Sequence, residues 1–219
     1  IVDTDKHGKT LGDLSTEHIQ DVLEMYSGRI RALKKVKEVN HVIIFKNEGE
    51  EAGASLEHAH SQLIALEHVP ELIKEKIEAN EDYKKRNGVC AYCDVVRKEG
   101  KEKTRVVFEN KSFLAFAPFA SRFPFEVWFV SKKHLVSIID LDRSGLRDLA
   151  EAMKFVLSRV DKLLNRPPYN YVLQIAPFGK DFHFHIEFLP RLSKWAGFEF
   201  GSNIIINTMP PEKAAQAIR

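Results

Sequence analysis

The chain has 219 residues, 44% of them hydrophobic, enough to bury a core in one large or two small domains. With 33 basic against 31 acidic residues the net charge is only +2, and no basic block stands out, so the charge gives no case for nucleic acid as a partner. No apolar run approaches the ~20 residues of a membrane span, the start Ile-Val-Asp-Thr-Asp-Lys-His is no leader, and two cysteines spaced Cys-x-x-Cys argue against a secreted disulfide framework and for a reducing, cytoplasmic setting.

In chain order, His7 is followed by the turn-like Gly-Lys-Thr-Leu-Gly-Asp, and Ser15 then stands where an N-cap belongs. From Thr16 to about Lys37, apolar residues recur at steps of three or four (Ile19, Val22, Leu23, Tyr26, Ile30, Leu33, Val36), which predicts a long amphipathic helix. The β-branched run from His41 to Phe45 predicts a strand, broken by Asn47, Gly49 and Gly53. Next comes Ser-Leu-Glu-His-Ala-His-Ser-Gln, residues 55–62. Read as a strand, it puts His58, His60 and Gln62 on one face and Ala59, Ser61 and Leu63 on the other, under a helix. A partly exposed polar edge strand is the plainer alternative. Residues 69–86 are charged and start near a proline, as a surface helix would.

A second series follows. After Cys90-Ala-Tyr-Cys93, residues 104–109, 112–118 and 125–131 read as three strands, Asp142 caps a helix running to about Leu164, and Tyr169 to Ala176 is a further strand. His-Phe-His-Ile-Glu at 183–187 repeats the alternating polar face. Trp195 to Asn207 carries two glycines and an expected Ile-Ile-Ile strand, and Pro210 and Pro211 open a last short helix.

Two landmarks therefore recur at nearly one spacing: His58 and His183 are 125 apart (183 − 58), His7 and His134 are 127 apart (134 − 7). Such a repeat argues for a duplicated unit. The expected division is 1–86 and 87–219. The second unit has its Cys-x-x-Cys 41 residues before the lone histidine (134 − 93), whereas the same spacing from His7 falls before residue 1. The first copy is accordingly expected to lack its N-terminal part, on the order of a hundred residues.

Cys90, Cys93, His134 and His183 form a candidate tetrahedral set, because zinc favours two thiolates with two imidazoles and a Cys-x-x-Cys knuckle presents both sulfurs to one ion. Four protein ligands would close the site and make it structural. A redox dithiol would instead want a strand, the cysteine pair and a long helix, and here the pair is expected to precede strands. By the duplication, His7 and His58 would be half of a second metal site. His60 alone among the strand histidines is followed two residues later by a neutral amide, Gln62, which can hydrogen-bond a phosphoryl oxygen; Glu187, at the matching place, would repel one. One copy thus reads as active and the other as structural.

Taken together, these residues resemble the galactose-1-phosphate uridylyltransferase family of the histidine-triad superfamily. The 55–62 stretch resembles its signature with Ala59 where proline is usual; Asp-Lys-His-Gly-Lys-Thr-Leu, Phe-Lys-Asn-Glu-Gly at 45–49 and Gly-Phe-Glu at 197–199 resemble further segments. The resemblance implies an α+β pair of fused histidine-triad folds and a ping-pong transfer of UMP between UDP-hexose and hexose 1-phosphate through a nucleotidyl-histidine. It implies a homodimer whose partner subunit completes each site. By position it makes His60 the nucleophile, Gln62 its phosphate-stabilising amide, Asn47 and Ser55 nucleotide and phosphate contacts, and Gly197 and Phe198 part of the loop that reaches the hexose phosphate. The bacterial enzymes use the second copy for iron, with a histidine at the place of Gln174, and lack the cysteine pair there. The zinc set here is more similar to archaeal and plant relatives, one branch of which handles adenylyl groups. An ADP-glucose phosphorylase using the same histidine is the alternative enzyme reading, and a non-catalytic zinc-stabilised scaffold is the alternative of another class.

Overall fold

A computed structural model describes all of residues 1–219. The first helix, α1 (Thr16–Leu33), starts where Ser15 Oγ accepts the His18 amide, and buries Ile19, Val22, Leu23, Tyr26 and Ile30 along one face. It stops at Leu33 rather than near Lys37: the next residues close i→i+3 bonds (Lys35 N to Ala32 O, Val36 N to Leu33 O), and Val36 turns out to solvent. Strands β1 (His41–Glu48) and β2 (Gln62–Leu66) form an antiparallel pair. Helices α2 (Glu71–Asn87) and α3 (Ala91–Glu102) follow, then β3 (Val106–Glu109), β4 (Phe113–Phe116), β5 (Val127–Ser131) and α4 (Arg143–Leu163), which Asp142 caps through the Gly145 amide. The chain closes with β6 (Tyr169–Gln174), β7 (His185–Pro190), α5 (Gly197–Ser202) and α6 (Pro211–Ile218). The architecture is α+β, and no helix is long and apolar enough to cross a membrane.

All seven strands join one antiparallel sheet in the order β2-β1-β6-β7-β5-β4-β3. Helices α1 and α4 pack together on one face over a single core that includes Val42 and Ile44 of β1 together with Leu173, Ile186 and Phe188. On the other face, α2 and α3 cover the second half only, with Ile73 and Ile77 packed near Phe182. The first-half side of that face is open, and Ile64 of β2 is 46% exposed there. The two halves match element by element: 3-10 turns at Leu11–Asp13 and Ile138–Asp140, caps at Ser15 and Asp142, hairpin pairs Phe45–Gln62 and Val172–Glu187. The expected boundary at 86/87 falls at the last residue of α2, and the halves on either side share one sheet and one core.

Three local expectations are corrected. First, neither His-x-His lies wholly on a strand. The ladder between β1 and β2 ends at Phe45–Gln62, and residues 58–61 leave it, their backbone pairing with residues 1–3 around the Val2–His60 bridge; β7 begins at His185, so His183 also precedes its strand. Second, the Cys-x-x-Cys opens a helix, α3, with Cys90 as its N-cap, instead of running straight into strands. Few apolar residues mark that helix, which is tied down by polar contacts such as Glu99 with Arg105 and Asp94 with the Tyr83 hydroxyl. Third, Ile204–Ile206 is no strand: no neighbour pairs with it, and Ile204 and Ile206 are exposed.

Because α4 spans the common core, its inward residues carry much of the stability. Leu149→Ala, at a fully buried site, is expected to cost about 2–5 kcal/mol, against about 0.5 kcal/mol or less for Ile64→Ala on the open face, as read by urea unfolding.

Candidate active site and metal centre

The open face carries the first set of candidate residues. His60 Nδ1 lies 2.8 Å from the His58 carbonyl. A carbonyl only accepts, so in the neutral ring the proton sits on Nδ1 and Nε2 keeps its lone pair. Gln62, the first residue of β2, is half-buried two positions on. A cleft of about 520 Å³ adjoins them; Asn47, Ser55, His58 and Ala59 line it, with Glu48, Glu50 and Glu57, but His60 and Gln62 are not part of its wall. Asn47 is held by Asn170, whose amide donates to its Oδ1 at 2.8 Å and to the Ala52 carbonyl. Gly197 and Phe198 do not join this group: they sit on α5, where Phe198 is exposed, and neither lines the cleft.

His7 and His58 do come together, with their Nδ1 atoms 3.2 Å apart and His58 Nε2 donating to the Thr4 carbonyl at 2.6 Å. They form a pair only, as no other His, Cys, Asp or Glu joins them in a cluster of three.

Their counterparts complete a fourfold set. One donor atom each of Cys90, Cys93, His134 and His183 lies within 4.8 Å of all the others. Cys93 Sγ is 3.4 Å from both His134 Nδ1 and His183 Nδ1, spacings that suit ligands about 2.0–2.3 Å from a shared ion. Each far side of the set is held: His183 Nε2 donates to the Ser131 carbonyl at 2.8 Å, His134 Nε2 meets Asp181 at 2.6 Å, and Asn80 Oδ1 accepts from the Ala91 amide and lies 3.2 Å from Cys90 Sγ. Those outer partners fix which nitrogen faces the ion. Burial and the neighbouring Cys90 push the Cys93 thiol up to about 11, and burial pulls the His183 imidazole down to about 4. A divalent ion would stabilise the thiolates that its ligation needs. The four donors can hold one metal ion.

The counterpart of His60 is shut away. His185 is fully buried, its Nδ1 donates to the His183 carbonyl at 2.8 Å, and the rings of Tyr92, Trp128 and Phe182 surround it at 4.6, 5.3 and 5.7 Å. Glu187 stands where the first half has Gln62 and is clamped by Lys76 at 2.8 Å and Arg122 at 2.6 Å. Burial alone would raise its carboxyl, but His185, Lys76 and Arg122 outweigh that and hold it below the usual carboxylate range. Sequence reading missed Lys76 and Arg122, which are distant in the chain from Glu187, and also missed the buried Lys46 beneath His60. The signal for Lys46 was present: it follows Val42 and Ile44 at the core-facing parity of β1.

A family profile described as a domain of unknown function, DUF4921, matches residues 2–219. The chain belongs to this family of galactose-1-phosphate uridylyltransferase-like proteins. It is 34% identical to a galactose-1-phosphate uridylyltransferase of Thermotoga maritima, over 100% of this chain and 72% of that one, and 34% identical to an ADP-glucose phosphorylase of Arabidopsis thaliana, over 100% and 63%. A crystal structure of the Arabidopsis thaliana ADP-glucose phosphorylase with bound ADP-glucose superposes with a TM-score of 0.92 at 33% identity, covering all of this chain and 71% of that one. The uridylyltransferase-like chain thus spans about two thirds of the length of these relatives.

Two outcomes are expected for the metal centre. Cys90→Ser should lower bound metal from about one ion per chain towards none and reduce the melting temperature, because ligation is coupled to folding. Chelator should shift the melting of the unaltered protein and leave that of the variant in place.

Proposed function

We propose that this chain transfers UMP between a UDP-hexose and a hexose 1-phosphate through a covalent intermediate on His60. The observation that carries the proposal is the His60 ring: Nδ1 is committed to the His58 carbonyl, which leaves Nε2 as the nitrogen with a lone pair for nucleophilic attack. In the first half-reaction Nε2 attacks the α-phosphorus of the sugar nucleotide, the bond from that phosphorus to the bridging oxygen breaks, and hexose 1-phosphate leaves with the electron pair. In the second, a phosphate oxygen of another hexose 1-phosphate attacks the same phosphorus and frees the imidazole. The Gln62 amide donates to the phosphoryl oxygens without adding negative charge. Asn47, held by Asn170, and Ser55 contact nucleotide and phosphate in the adjoining cleft.

In this proposal Gly197 and Phe198 serve the hexose phosphate of a second subunit's site in a homodimer, in keeping with their distance from this chain's own cleft and with the exposed Trp195, Phe198 and Phe200 around them. Zinc is the ion of the Cys90, Cys93, His134 and His183 set, since two thiolates and two imidazoles suit it best, and its role is to hold the second half closed. Ligation by His7 and His58 requires two further donors beside them.

One relative gives weight to a second reading. The ADP-glucose phosphorylase is as similar as the uridylyltransferase, and the same His60 chemistry with inorganic phosphate as acceptor would make this chain an adenylyl enzyme. UDP-glucose and ADP-glucose, each labelled at the α-phosphate and supplied without acceptor, separate the cases. Label taken up from UDP-glucose, stable in base and lost in mild acid, and absent in His60→Gly, is the expected result. Label from ADP-glucose alone supports the adenylyl reading, and label from neither leaves a zinc-stabilised scaffold.

A further inference from the structure

Beneath the His58–Ser61 segment lies a buried polar cluster that the chemistry above leaves unused. Lys46 has no solvent exposure, and its Nζ contacts Asp3 Oδ2 at 2.9 Å, Glu48 Oε2 at 3.1 Å and the His60 carbonyl at 3.1 Å. Asp3, itself 1% exposed, accepts from Ser61 Oγ at 2.9 and 3.1 Å. The Tyr26 hydroxyl completes the cluster, donating to Ser61 Oγ and lying 2.7 Å from the Tyr171 hydroxyl. His60 and Ser61 are thus gripped from below, one by its carbonyl and the other by its side chain. The grip stands in for a missing ladder, since β1 and β2 stop pairing at Phe45–Gln62.

The fold contains its own comparison. Val172 pairs with Glu187 as Phe45 pairs with Gln62, so Lys46 corresponds to Leu173 and Ser61 to Ile186. Val130 pairs with His185 as Val2 bridges His60, so Asp3 corresponds to Ser131. Counted from the caps Ser15 and Asp142, Tyr26 corresponds to Met153. All four counterparts are buried, none is charged, and three are apolar. The same framework therefore accepts an uncharged filling at these positions, and such a filling is commonly as stable as a buried ion pair or more so. The charged version occurs only under the half that carries His60 and Gln62.

We infer that Lys46 and Asp3 are positioning residues for His60, holding the His60–Ser61 peptide so that the ring keeps its bond to the His58 carbonyl and aims Nε2 at an incoming phosphorus. This rests on the proposal that His60 is the nucleophile. Neither residue need touch substrate. Their effect falls on the attack and not on the binding of the sugar nucleotide.

The test gives the first half the second half's filling, as the double variant Lys46→Leu with Asp3→Ser in the full chain. Four quantities are read: melting temperature, the single-turnover rate and sugar-nucleotide Kd for labelling of His60, and the His60 side-chain 15N NMR signals, which report the tautomer without any substrate. The variant should fold, melting somewhat lower because Glu48 loses its Lys46 partner, and bind with the same Kd. It should label about a hundredfold more slowly, the scale of loss from misplacing a reacting group by ~1 Å, and its fixed Nδ1–H pattern should give way to an averaged one. Labelling at the original rate with an unchanged His60 pattern overturns the inference and makes the cluster a core filling. If the double variant fails to fold, Asp3→Asn, which keeps the shape and removes the charge, takes its place: slowed labelling with an averaged His60 pattern supports the inference, and the original rate and pattern overturn it. If the unaltered protein takes no label from any sugar nucleotide, the proposed function fails, and the NMR comparison still decides whether Lys46 and Asp3 hold His60.

Discussion

The antiparallel ladder between β1 and β6, from Ile44 against Leu173 to Glu48 against Tyr169, joins two matching halves into one sheet. It leaves β2 and β1 on one side and β6, β7, β5, β4 and β3 on the other. Because strand side chains alternate between faces, this joint also sorts the chemistry. The core-facing residues Val42, Ile44, Leu173 and Ile186 meet α1 and α4, while His60, Gln62, His185 and Glu187 are carried towards the opposite face. What stands beside each histidine on that opposite face bears on which of them can react.

The halves answer that question differently, and the difference is electrostatic as well as steric. In the second half α2 and α3 lie over the sheet, Tyr92 packs on His185, and the charge of Glu187 is taken up by Lys76 and Arg122. An anionic substrate would have to displace both the rings and a carboxylate. The metal set lies in this half, with Cys90 at the start of α3 and His183 two residues ahead of His185, so an ion there would tie the covering helix to the sheet. In the first half the matching imidazoles, His7 and His58, meet as a pair. A neutral amide replaces the carboxylate there, and buried charges lie on the underside of the sheet at Lys46 and Asp3.

Much of this was legible in the sequence, because the signals are periodic or chemical. The helices α1 and α4 announced themselves through their caps and apolar spacing, and the four metal-set residues and the His60–Gln62 contrast with His185–Glu187 through residue type and repeat spacing. Other features were not legible for physical reasons. Helix α3 has a polar, ion-paired face with little apolar period to read. The His58–Ser61 segment alternates like a strand but pairs with residues 1–3 around a single bridge, and the His60 side chain and Lys46 meet its remaining carbonyls at His58 and His60. Ile204–Ile206 has strand composition but no strand beside it to pair with. The parity of Lys46 on β1 pointed to the core, but its partner 43 residues away, Asp3, which lets the charge be buried, carried no signal in the sequence.

We propose that of two matching histidines His60, followed by the neutral Gln62, is the reactive one, whereas His185 is held under the rings of Tyr92, Trp128 and Phe182 beside the carboxylate of Glu187. Mapping the covalent adduct by tandem mass spectrometry tests this most directly, after incubation with a sugar nucleotide without acceptor and digestion kept at alkaline pH. The account predicts a nucleoside monophosphate on the peptide containing His60 and none on the peptide containing His185. An adduct on His185, or on both peptides alike, would contradict it.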